Sequence, residues 1–146
     1  MTKRCSGSPY VHDAEVMEVV RKFESCEFTP SDFNHRLHLI VSLSYLLKYP
    51  EQEALSRLRQ GINKFLKHHG IDANVYHETL TLFWMRRVNS FLVSCVSSRP
   101  LAGLANELIE TCGDSRIVYD YYSQELIASE AARIAWAEPD LRALDF

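Results

Sequence analysis

Residues 33–39 read FNHRLHL and place His35 and His38 three positions apart, at the head of the most hydrophobic stretch of the chain. On a helix that spacing puts both imidazoles on one face with Cβ atoms about 5–6 Å apart, within reach of a single ion or ligand. A second group lies in residues 76–79, YHET. At the start of a helix the positive dipole end disfavours an imidazolium and favours a carboxylate. His77 there suits metal coordination, and Glu78 suits a fourth ligand or a general base. If the two helices pack side by side, His35, His38 and His77 converge on an open coordination face able to hold zinc or iron and activate water or oxygen. HxxH is a much weaker signal than HExxH, and a chain with six histidines produces such pairs by chance. The competing expectation is a hydrogen-bonded network of His, Tyr and Glu around a core or an apolar small-molecule pocket.

The elements that must position these groups are helices. Val16, Val19, Val20 and Phe23 recur at helical spacing and predict a first amphipathic helix over about 12–26. Residues 29–32, TPSD, suggest the start of a second, with Thr29 as cap, Pro30 at the first helical position and Asp32 at the positive end; it runs to about Lys48. Pro50 opens a third, with Leu55, Leu58, Ile62, Phe65 and Leu66 inward, ended by Gly70. Asn74 suits the cap of a fourth over about 75–97, and residues 101–113 give a shorter fifth ending at Gly113. One or two more follow, with restarts at Asp114 and Ser129. The reading is an all-α, single-domain helical bundle of about six or seven helices: a flexible leader over 1–11, a helical domain over 12–138 and a tail over 139–146. Leu141, Leu144 and Phe146 give that tail reason to pack on the domain.

The second helix carries the functional expectation. At about 100° per residue, His35, His38, Ser42, Tyr45 and Tyr49 form one polar stripe on an otherwise apolar rod. No charge occurs between Arg36 and Lys48, whereas the third helix exposes a charge on nearly every turn. The stripe is therefore expected to face an interior cleft between the second and fourth helices. Tyr45, Tyr76 and Trp84 would shape the pocket, and Glu78 would act catalytically.

Composition narrows the rest. With 146 residues, 47% hydrophobic and 24% charged, the chain can bury a core of its own. A net charge of −3 without a basic face argues against nucleic acid and anionic membrane. The longest apolar stretch, 37–47, is too short for a membrane span of about 18 residues or more. Cys5, Cys26, Cys95 and Cys112 form no CxxC pair, which fits reduced thiols in a cytoplasmic protein; Cys5 could be reactive but lacks a partner. His68 and His69 suit the C-terminal end of the third helix, and the apolar C-terminal helices suggest a homodimer.

The segments FNHRLHL, YHETLTLFW and YYSQELIASEAARIAWAEPDL resemble those of a group of small uncharacterised bacterial proteins with FxHxxHL, YHET and WxEPDL segments. The resemblance covers most of the chain from about Phe28 and implies no activity, substrate or cofactor. Two functions stay open: a metal-dependent enzyme acting on a small molecule, and a non-enzymatic ligand-binding or protein-interaction module.

Overall fold

The computed structural model describes residues 9–95 and 99–146. The leader up to residue 8, Cys5 within it, and the expected end of the fourth helix at Ser97 lie outside the described residues. Seven α-helices appear among those described: α1 Asp13–Glu24, α2 His35–Lys48, α3 Glu51–His68, α4 Glu78–Ser94, α5 Leu101–Cys112, α6 Gln124–Ala128 and α7 Glu130–Ile134. Short 3-10 turns, Ala73–Val75 and Ser115–Asp120, precede α4 and follow α5. The fold is an all-α bundle, and no described helix is long and apolar enough to cross a membrane.

Local chemistry sets the boundaries. The Glu15 carboxylate accepts from the backbone N–H groups of Val11 and His12 at 2.7 and 2.8 Å, fixing the start of α1. The TPSD segment is a turn, and α2 starts later than expected. Asp32 and Phe33 donate their N–H groups to the Thr29 carbonyl, and Asn34 is the cap, its side chain accepting from Leu37 N–H at 3.1 Å. The fourth helix also starts late. Asp72 caps the 3-10 turn that contains Asn74, and His77 caps α4. Gly70, at φ 67°, takes the left-handed conformation that ends α3. Asp114 starts the second 3-10 turn, Ser129 starts α7, and Ser123, unforeseen, caps α6.

Helix α2 is central, packing against α1, α3, α4 and α5. Its Leu39, Ile40, Val41 and Leu43 are all but fully buried. Gly61 lets α3 approach α1 closely, because a Cβ there would fall 2.5 Å from the Phe23 ring. A second apolar cluster, Phe83, Val118, Tyr121, Tyr122 and Ile127, sits on the other side of α4, and Leu144 and Phe146 pack against it. Leu141 stays exposed, although its N–H donates to the Tyr121 carbonyl at 2.9 Å. Helix α4 is thus the wall between the central core and the C-terminal segment, with Trp84 touching both.

Candidate functional site

A cavity of about 560 Å³ opens where α2, α3 and α4 meet beneath the two 3-10 turns. From α2 come His35, His38, Leu39 and Ser42, and from α3 come Leu58, Ile62, Phe65 and Leu66. Helix α4 and its cap add His77, Leu80, Thr81 and Trp84, and Phe33, Tyr76 and Tyr119 add aromatic surface. Among the described residues, no Asp, Glu, Lys or Arg lines it. The size and the apolar walls with a few polar groups are those of a small-molecule site.

Each lining histidine has a different state. The His38 ring packs edge-on against Phe33, with centroids 4.9 Å apart. Burial, with a smaller contribution from nearby His35, pushes its pKa down to about 4, and among the described residues no hydrogen bond offsets that shift. It is a neutral imidazole with one donor and one acceptor left over. His35 lies 4.3 Å, centroid to centroid, from Trp84 and bonds through Nε2 to the Cys112 carbonyl at 3.0 Å. A carbonyl only accepts, so Nε2 carries the proton and Nδ1 keeps its lone pair. Burial lowers the His35 pKa as well, against the opposing pull of that carbonyl and of Asp114. His77 has nothing left to offer. Its Nδ1 accepts from Leu80 N–H at 3.1 Å, and its Nε2 donates to the Ile127 carbonyl at 2.7 Å.

YHET is the joint between α4 and its neighbours. Tyr76 donates its hydroxyl to Glu78 at 2.6 Å, and Arg59 of α3 pairs with the same carboxylate. Burial raises the Glu78 pKa, but the hydrogen bonds from Arg59 and Tyr76 outweigh it and hold the carboxyl below its ordinary value. The Tyr76 phenol is pushed up to about 12, by burial and by Glu78. Thr79 is fully buried; it donates to the Ala135 carbonyl at 2.9 Å and accepts from Ala137 N–H at 3.0 Å. Tyr122 donates to the Ala137 carbonyl at 2.7 Å and adds to the attachment of the C-terminal segment.

The structure therefore brings His35, His38, His77, Tyr76 and Trp84 to one cavity and leaves two expected residues out. Glu78 points into the Arg59–Tyr76 clamp, where its lowered pKa makes it a poor base. Tyr45 lies on the polar stripe of α2 but below the cavity, under α1, where its hydroxyl donates to Glu24 at 2.6 Å. Burial and that carboxylate raise its pKa. The expected three-histidine ligand set lines one cavity, but only His35 and His38, side by side on α2, keep spare nitrogens, and His77 has none. Among the described residues no three His, Cys, Asp or Glu side chains are grouped as an ion requires. Ser42, on the expected stripe, opens onto the cavity, as does Thr81, which continues the face of His77; Phe33 lines it without having been assigned a role.

No family model, curated protein or solved structure matches the chain.

Proposed function

We propose that the protein binds a small, neutral, largely apolar molecule in the cavity between α2, α3 and α4, with His38 as its polar anchor. The observation that carries this reading is the neutral His38 ring, without a hydrogen-bond partner among the described residues, facing a cavity of about 560 Å³ that no described charged residue lines. A half-buried polar ring that lines a roomy cavity without a protein partner is a place for a ligand to supply one. Glu78 lies outside and is tied to Arg59, so binding is favoured over acid–base catalysis.

The neutral dye N-phenyl-1-naphthylamine tests this. One dye per chain should bind saturably and quench tryptophan emission through Trp84. Ser42→Phe, which places a ring in the cavity, should abolish binding while helical circular dichroism is retained. No saturable binding, or undiminished binding to the folded variant, contradicts the proposal. A transition ion is the competing occupant, because His35 and His38 retain spare nitrogens on one wall. Saturable Zn²⁺ binding, lost in His38→Gln and not competing with dye-sized apolar molecules, would favour it instead.

A further inference from the structure

The hydrogen-bond inventory of the cavity narrows the class of ligand, an inference that rests on the binding reading above. Tyr76 donates its proton to Glu78, and Thr81 donates to the His77 carbonyl at 2.8 Å, so neither hydroxyl donates to an occupant. His77 spends both nitrogens on Leu80 and Ile127. His35 spends its one proton on Cys112 and keeps only a lone pair. Among the described residues the donors left are the single N–H of neutral His38, the indole N–H of Trp84 and the hydroxyls of Ser42, Ser115 and Tyr119; Tyr119 is substantially exposed. Of these, Ser42 is buried.

We infer that the cavity selects an uncharged aromatic or polycyclic molecule bearing a hydroxyl group, which donates to His35 Nδ1 and accepts from the His38 ring. One hydroxyl satisfies both imidazoles at once, because residues three apart on a helix present neighbouring side chains and a hydroxyl is donor and acceptor together. A ketone of the same skeleton accepts from His38 but leaves the His35 lone pair without a partner. A carboxylate meets only neutral donors, no cation among the described lining residues and largely apolar walls, and retains much of its desolvation cost. The aromatic surfaces of Phe33, Phe65 and Trp84 favour a flat skeleton.

A matched series of naphthalenes decides it by calorimetry on the full chain near neutral pH: 2-naphthol, 2-methylnaphthalene, 2-acetylnaphthalene and 2-naphthoate. 2-Naphthol should bind at least about fivefold tighter than 2-methylnaphthalene, the return expected from one or two net hydrogen bonds. 2-Acetylnaphthalene should gain less, and 2-naphthoate should bind weakest. His38→Phe should keep 2-methylnaphthalene binding and lose the advantage of 2-naphthol; the wild-type series decides by itself if that variant does not fold. Tighter binding of 2-naphthoate or 2-acetylnaphthalene than of 2-naphthol overturns the inference and leaves the binding reading standing. Failure of all four to bind overturns both.

Discussion

Replacing Thr79 with valine removes one hydroxyl at nearly constant volume, so no cavity term enters. The hydroxyl donates to the Ala135 carbonyl at 2.9 Å and accepts from Ala137 N–H at 3.0 Å, and Thr79 itself is fully buried. Two hydrogen bonds at about 0.5–1.5 kcal/mol each set a loss of about 1–3 kcal/mol. Water can reach Ala135, which is exposed, so the lower half of that range is expected. The effect should also be local. With Ala137 N–H unpaired, the start of the segment after α7 keeps the Tyr122–Ala137 bond and the apolar contacts of Trp136, while the Ser123–Asp140 and Leu141–Tyr121 bonds and the packing of Leu144 and Phe146 hold the rest. Urea unfolding followed by circular dichroism gives the global loss, and amide exchange at Ala137 gives the local one, expected to accelerate about tenfold for each ~1.4 kcal/mol of lost protection. A variant within about 0.3 kcal/mol of the parent, with Ala137 exchange unchanged, would refute the view that YHET anchors the C-terminal segment.

Acid should weaken the fold through His38. Its folded value, about 4, lies below the ordinary 6.5, so between those values the unfolded chain binds a proton that the folded chain refuses. Stability is complete above about pH 6.5 and falls towards pH 4; discounted for water in the cavity, the loss is about 1–3 kcal/mol. Urea midpoints measured near neutrality and near pH 4.5 should move less in His38→Gln than in the parent; equal movement contradicts the assignment. Gly61→Ala should destabilise by about 1–2 kcal/mol: the new Cβ meets the buried Phe23 ring at 2.5 Å, a cost only partly offset by alanine's helix propensity. An unchanged melting temperature would show that α1 and α3 yield freely. Glu78→Gln should cost about 1 kcal/mol, because the Arg59 pair is partly exposed, and should leave N-phenyl-1-naphthylamine affinity unchanged. A large loss of dye binding would return Glu78 to the site.

The second helix was legible because its composition is extreme. Eleven uncharged residues in a row, 37–47, demand burial on nearly all sides, and α2 is the helix that four others surround. The stripe was legible as a line but not as two environments. His35, His38 and Ser42 open onto the cavity, whereas Tyr45 is covered by α1, a division set by where Glu24 falls. YHET was recognisable as chemistry-bearing, yet its use depended on partners the local sequence does not contain: Arg59 is 19 residues away, Ile127 is 50 and Ala135 is 56. The same types that suit a metal site suit a cap and a clamp. The TPSD start failed for a local reason, since Thr29 closes a turn as readily as it caps a helix, and Asn34 competed for the same role.

Nitrogen-15 NMR of the imidazole rings bears most directly on the whole account, because it reads the protonation and surroundings of His38 without altering the chain. The ring should be neutral near pH 7, titrate near 4, and shift its nitrogen resonances when 2-naphthol is added, while the His77 nitrogens stay as they are. A His38 ring that titrates near the ordinary 6.5 and ignores 2-naphthol would mean that it faces bulk water and anchors nothing.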